Sequence, residues 1–185
     1  MSVIFPSRKR NRLSGFSYSA SGAYFVTVCV SPRRNVFWCS DDTAAFREED
    51  PLENVGADII RPFAPPPLTE AGKTVEQAIR AIPDHYDGVD VECFCIMPDH
   101  VHMLLVYAAD ENGRIISAPT LSVVVGSMKR YVTRKLGRHI WQKSFYDHVI
   151  RNEKGFHAAC RYIAENPARW REDHENAGMT FDEDV

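Results

Sequence analysis

Val89-Asp90-Val91-Glu92-Cys93-Phe94-Cys95-Ile96-Met97-Pro98-Asp99-His100-Val101-His102-Met103-Leu104-Leu105-Val106-Tyr107 reads as two strands joined by a proline turn. Val89 to Ile96 and His100 to Tyr107 are rich in β-branched, aromatic and other apolar residues, the composition of a half-buried pleated surface. Met97-Pro98-Asp99 interrupts them with a residue that cannot donate to a ladder. Two such runs with a short break predict an antiparallel hairpin. Side chains alternate along a strand, so Val101, Met103, Leu105 and Tyr107 share one face, and His100 and His102 share the other. Helices can cover the apolar face. The two histidines then stand on the opposite one, about 6–7 Å apart along the backbone.

The flanking sequence supplies those helices and more strands. Tyr24 to Val30 has strand composition and ends at Ser31-Pro32. From Thr69 to Ile82 the period is helical, with Thr69 as N-cap, Val75, Ala78, Ile79 and Ile82 as the stripe, and Pro83 as the stop. Thr120 caps a helix running to about Leu136, with Leu121, Val125, Met128 and Val132 inward and Gly137 at its end. Ile140 to Ile150 reads as an extended edge strand. Asn152 caps a last helix, which Pro167 is expected to break. The order strand, helix, strand, strand, helix, strand, helix predicts an α+β fold: a ferredoxin-like antiparallel sheet with helices mainly on one face. Residues 16–170 form one domain on this reading. It is preceded by a basic flexible arm (1–15), interrupted by an acidic, proline-rich insertion (40–67) and followed by an acidic tail (171–185). There is no internal repeat and no domain linker.

The net charge of −3 conceals segregation. Residues 1–40 carry six Lys or Arg and no acid, and residues 41–111 carry sixteen acids against four bases. Residues 112–146 carry seven bases and no acid: Arg114, Lys129, Arg130, Arg134, Lys135, Arg138 and Lys143. A polyanion needs local positive potential, not a high overall pI. The basic windows are therefore either solvated faces or a nucleic-acid footprint. Five cysteines, without staple-like spacing, read as reduced and mostly buried thiols. Cys93-Phe94-Cys95 with the nearby histidines fits no closed zinc spacing, and buried small residues on one strand face account for it. No apolar run approaches the roughly 18–20 residues of a membrane span. The first ten residues lack the apolar stretch of a secretory signal, so a cytoplasmic location is expected.

Two constellations bear on chemistry. Imidazoles at His100 and His102 can converge on one cation and leave positions open for a substrate oxygen. They can equally be two polar residues on a solvent-facing strand. On the last helix, Phe156, Ala159, Cys160 and Ile163 form an apolar stripe. Tyr162 lies about 100° from its centre, and Asn166 follows one turn later on the same flank. That flank places a phenol and an amide at the edge of the packed contact. An amide oxygen can ligate a hard cation, and a tyrosine can attack a phosphodiester. The same position also suits a tyrosine that only half-buries its ring.

Together the motifs resemble a known family. Met97-Pro98-Asp99-His100-Val101-His102-Met103-Leu104-Leu105 resembles the histidine–hydrophobic–histidine signature of the IS200-like, single-tyrosine transposases. Tyr24-Phe25-Val26-Thr27 resembles their first strand. Trp141-Gln142-Lys143-Ser144-Phe145-Tyr146-Asp147-His148-Val149-Ile150-Arg151 resembles the segment before their last helix, and Tyr162-Ile163-Ala164-Glu165-Asn166-Pro167 resembles their tyrosine helix. The match spans about residues 20–170, and the subgroup it resembles most is the transposases associated with repetitive extragenic palindromes (REP). The resemblance implies a metal-dependent enzyme that cleaves and rejoins single-stranded DNA near hairpins. It implies Mg²⁺ or Mn²⁺ on His100 and His102, with Asn166 matching a third ligand that is glutamine in simpler members. It also implies that Tyr162 is the nucleophile of a 5′-phosphotyrosine intermediate. A free tyrosine titrates near pH 10, so it needs electrophilic help at neutral pH. Arg8, Lys9, Arg10 and Arg12 of the arm, and Lys129, Arg130 and Arg134 of the helix, are the expected DNA contacts. Simpler relatives pair through their sheets, so a homodimer is an assembly the resemblance allows.

Tyr131 and Tyr146 are rival nucleophiles, but neither has a ligand-capable amide four residues on. Two other functions compete: a domesticated DNA-binding protein of the same fold that no longer cleaves, and a nucleotide hydrolase of the histidine-triad type. The latter needs a third alternating histidine, where this chain has Leu104.

Overall fold

A computed structural model describes residues 22–39, 66–108 and 119–178. In chain order the elements are β1 (Gly22–Cys29), α1 (Glu70–Arg80), α2 (Ile82–His85), β2 (Val89–Ile96), β3 (His100–Tyr107), α3 (Leu121–Leu136), β4 (Tyr146–Ile150) and α4 (Glu153–Gly178). The strands form one antiparallel sheet in the order β2-β3-β1-β4. The α+β expectation holds, with β2 and β3 as the hairpin and β4 at an edge. The arm (1–15), most of the insertion (40–65) and residues 179–185 of the tail lie outside the described residues.

The sheet has two covered faces of unequal depth. Tyr24, Val26 and Val28 of β1 and Val101, Met103, Leu105 and Tyr107 of β3 are buried together with Val75 and Ile79 of α1 and Val125, Met128 and Val132 of α3. This is the main core, and the stripes read from the sequence are the ones that fill it. On the other face a smaller cluster joins Ala23 and Leu104 to Ala159 and Ile163 of α4. α4 packs over β2 and β3, so three helices share one face and the last covers half of the other.

One residue explains how β2 serves both faces. Val91 pairs with Leu105, but Cys93 pairs with Leu104, leaving exposed Glu92 as an extra residue in the ladder. Such a bulge shifts the alternation by one. Val89 and Val91 therefore face the main core before the bulge, and Phe94 and Ile96 do so after it. Cys93 and Cys95 are thereby turned toward α4. All five cysteines are free, but only Cys29 is fully buried. The expectation of mostly buried thiols is corrected: Cys93, Cys95 and Cys160 border the smaller cluster under α4, and Cys39 lies beside Pro67, each only partly covered.

Three further boundaries differ from the sequence reading. Pro83 does not simply stop a helix. α1 ends at Arg80, and Pro83 then stands in the first turn of the short α2, where its missing N–H costs nothing. The extended segment before β4 is not all strand: the ladder covers only Tyr146–Ile150, with Trp141 bridging Val30 alone. α4 continues through Pro167 to Gly178 instead of breaking at the proline. A mid-helix proline removes one backbone bond, but Pro167 is buried, and three residues later the Trp170 ring meets Trp38 edge-on with centroids 5.1 Å apart. That packing, with the Trp38 indole N–H donated to the Ile96 carbonyl at 2.7 Å, anchors the helix just beyond the proline. Asn152 does cap α4, its Oδ1 accepting from Gly155 N–H at 2.8 Å.

Candidate active site

The site begins where β3 begins. Pro98 cannot donate, yet its carbonyl accepts from the N–H groups of Val36 (2.8 Å) and Phe37 (3.1 Å), and the Asp99 carbonyl accepts from Val30 N–H at 2.9 Å. The segment leaving β1 is thus stitched onto the turn before β3, which fixes the direction in which His100 and His102 emerge. Their rings meet with centroids 4.6 Å apart and planes 79° apart, and the two Nε2 atoms face each other at 3.1 Å.

Each ring is held by its other nitrogen. His100 Nδ1–H donates to Asp99 Oδ1 at 2.6 Å, and Thr27 Oγ1 lies 2.8 Å from His102 Nδ1. Asp99 is itself gripped by Arg33, whose Nε and Nη2 donate to its two oxygens. Burial pushes the Asp99 carboxyl up, but the hydrogen bonds from His100 and Arg33, with their charges, outweigh it and leave it below its ordinary value. Burial pushes His102 down to about 4, helped by the charges of His100 and Arg33. The buried His102 is therefore neutral at physiological pH, which leaves a ring nitrogen with a lone pair to donate.

Aromatic rings wall the pair. Phe25 stacks on His102 with centroids 5.2 Å apart. Tyr162, on the flank of α4, sets its ring edge-on to both, 5.4 Å from His102 and 5.8 Å from Phe25. Tyr162 is 42% exposed, so its hydroxyl end is not sunk in the apolar core. Asn166 is half-buried one turn further along α4. The helix–sheet packing thus brings together two imidazoles and a phenol that are about sixty residues apart in sequence. Among the described residues no group of three or more His, Cys, Asp or Glu stands close enough to hold a metal. Leu104, the place a third alternating histidine would take, is fully buried beneath α4.

A family model described as "Transposase IS200 like" matches residues 68–166, which contain both histidines, Tyr162 and Asn166. The chain belongs to the IS200-like transposase family. An uncharacterized protein of Haemophilus influenzae is 24% identical to this chain over 185 residues, covering 90% of it and 91% of that protein. A putative REP-associated tyrosine transposase of the same organism is 26% identical over 117 residues, covering 55% of this chain and 62% of that one. Among solved structures, a REP-associated tyrosine transposase bound to a REP hairpin superposes with a TM-score of 0.54 at 19% identity, covering 81% of this chain and 68% of that one. REP-associated members therefore recur among curated and structural matches, as the sequence resemblance implied.

The other residues singled out from the sequence of this IS200-like transposase are placed elsewhere. Lys129, Arg130 and Arg134 lie on α3, lining a cleft of about 720 Å³ together with His139, Gln142 and Lys143. Lys129 is half-buried and donates to the carbonyls of Gln142 (2.6 Å) and Ser144 (3.2 Å), and burial lowers its pKa. Gln142 N–H in turn donates to the Cys29 carbonyl at 2.8 Å, and Cys29 is the cross-strand neighbour of His100. The basic cleft is thus tied to the histidine end of the sheet. Arg8, Lys9, Arg10 and Arg12 lie outside the described residues. Sequence reading missed Thr27, Phe25 and Arg33 as neighbours of the pair. Only the cross-strand register and the fold-back after β1 bring them there. Phe25 and Thr27 stand in the stretch that resembles the family's first strand, but nothing local says that they face the histidines, and no motif marks Arg33. No helix among the described residues is long and apolar enough to cross a membrane.

Proposed function

We propose that this transposase cuts and rejoins single-stranded DNA beside hairpins, with Tyr162 as nucleophile and His100, His102 and Asn166 as donors to Mg²⁺ or Mn²⁺. The observation that carries the reading is the meeting of Tyr162 with His102, whose Nε2 faces that of His100 at 3.1 Å. The two Nε2 atoms are close enough that one octahedral cation with ligands at about 2.0–2.1 Å would be held by both. Asp99 and Thr27 hold the distal nitrogens, as partners of metal-ligating histidines do. A hard cation there supplies positive charge that polarises a phosphate oxygen. Asn166 offers an amide oxygen of the kind such a cation accepts. The solved relative bound to a REP hairpin supports a hairpin-bearing substrate.

The chain's own residues then divide the work. α4 presents the Tyr162 hydroxyl beside the histidine pair, where a scissile phosphate docks. A bond forms from the tyrosine oxygen to phosphorus, and the bond from phosphorus to the 3′ oxygen breaks. The phenolic proton is given up and the departing 3′ oxygen becomes a hydroxyl. The 5′-phosphotyrosine conserves the phosphodiester bond, and attack by a 3′-hydroxyl rejoins the strand. The α3 cleft and the basic arm hold the flanking backbone through charge. Residues 16–170 serve as one catalytic domain.

The test mixes full-length protein with an end-labelled hairpin oligonucleotide and Mn²⁺. The expected result is a denaturation-resistant protein–DNA adduct that disappears with chelator. Tight binding with no adduct at any metal concentration would overturn the proposal and assign the chain to the non-cleaving form.

A further inference from the structure

Beside the histidine pair the sheet carries a second row that the chemistry above does not use. Across the strands, His102 pairs with Thr27 and Thr27 pairs with Tyr146; likewise Leu104 pairs with Phe25 and Phe25 with His148. Directly paired residues project to the same face, and Thr27 reaches His102 through its side chain. Tyr146 and His148 therefore share the face of the candidate active site, with Tyr146 two strand spacings, about 10 Å, from His102.

This half of the face is open. α4 packs over β2 and β3, and β4 is an edge strand. Tyr146 is 52% exposed, and among the described residues only Val123, Tyr146 and Tyr162 are large apolar side chains left exposed. Two of the three flank the same histidine pair. His148 is exposed as well. Edge strands are ordinarily blunted by charge, yet here the edge offers two flat rings to solvent.

We propose that Tyr146 and His148 form a stacking shelf for an unpaired base of the DNA strand whose phosphate meets Tyr162. The inference rests on the single-stranded DNA reading above. An exposed flat π-face on the same side of the sheet as the Tyr162 site fits an unpaired nucleobase, which stacks on an aromatic ring whatever its sequence. The shelf lies in the same plane of side chains as the histidines, so a base resting on it orients the adjoining phosphodiester.

The experiment measures equilibrium binding of full-length protein to a hairpin oligonucleotide and to copies with one abasic position at a time, alongside adduct formation. Tyr146→Ala is expected to weaken binding by about 5- to 150-fold, the range of one base–aromatic stack, without changing the dependence on salt. The wild type is expected to lose a like factor at one abasic position near the cut, and Tyr146→Ala to lose nothing more there. Tyr146→Phe, which keeps the ring, restores what Tyr146→Ala loses. Unchanged affinity in Tyr146→Ala, or equal further losses at every abasic position, overturns the shelf. So does a Tyr146→Phe protein that binds but forms no adduct, since the hydroxyl would then be the reacting group. A shift from dimer to monomer in Tyr146→Ala overturns it too, making the row a contact between two copies. If the abasic pattern holds while the wild type forms no adduct, the shelf stands and the cleavage reading fails.

Discussion

Tyr162 meets His102 edge to face, ring centroids 5.4 Å apart, across the seam between the last helix and the third strand. The contact joins a partly exposed phenol to a buried, neutral imidazole. Tyr162→Phe keeps the ring and removes only the hydroxyl. It is expected to abolish the covalent DNA adduct and leave DNA affinity nearly unchanged, as read by a denaturing gel and a binding titration. An adduct surviving in this variant would move the nucleophile elsewhere.

Asp99 is the hub of the ring-holding bonds, accepting from His100 and from Arg33. Asp99→Asn removes the charge and keeps the shape. Loss of such a partner costs roughly 10- to 100-fold in metal affinity, so the Mn²⁺ concentration giving half-maximal adduct should rise by about that factor. His100→Ala and His102→Ala should lower adduct formation further still, while DNA binding without metal stays near wild type. Equal loss of binding and cleavage would mark the pair as structural.

Arg130 and Arg134 line the α3 cleft, whereas Lys129 is committed to two carbonyls. The three are therefore not equivalent. Arg130→Gln with Arg134→Gln should weaken DNA binding and reduce the slope of log affinity against log salt by up to about 2. Lys129→Gln should instead lower the melting temperature, because it strips donors from the carbonyls of Gln142 and Ser144. An unchanged salt slope in the double variant would take α3 out of the DNA path.

Gly72 sits in the first turn of α1, where an added Cβ would come within 2.5 Å of the Phe37 carbonyl. That carbonyl also accepts from Thr69 N–H at 2.9 Å. Alanine is ordinarily favoured over glycine in a helix by about 1 kcal/mol. Gly72→Ala should nonetheless destabilise the protein by roughly 1–3 kcal/mol, since backbone must shift. The displaced segment is the one carrying Arg33, so adduct formation should also need more metal. A more stable Gly72→Ala protein would show that this segment yields freely.

Beneath α4, Leu104 is fully buried against Ala159 and Ile163. Leu104→Ala should cost about 2–5 kcal/mol by leaving a cavity, read by chemical denaturation. It should lower the melting temperature more than it lowers cleavage measured in the cold. A near-neutral change would mean that α4 is held mainly by Trp170 and Pro167.

Much of this was written locally. The hairpin, the placement of His100 and His102 on one face, the stripes of α1 and α3 and the Tyr162–Asn166 flank all follow from periods of 2.0 and 3.6, which depend only on neighbours in the chain. The family signature lies in the same short stretches. Other features depended on contacts between segments far apart. Pro167 reads as a helix breaker until Trp38, sitting over a hundred residues earlier, packs on Trp170 just beyond it. Arg33, Thr27 and Phe25 become neighbours of the histidines only through the strand order β3-β1-β4 and the fold-back after β1. Alternation says which face a side chain takes, but which strand lies beside it, and which helix closes over it, is decided by burying the whole apolar surface at once. That collective choice set Tyr162 against His102 and left Tyr146 uncovered.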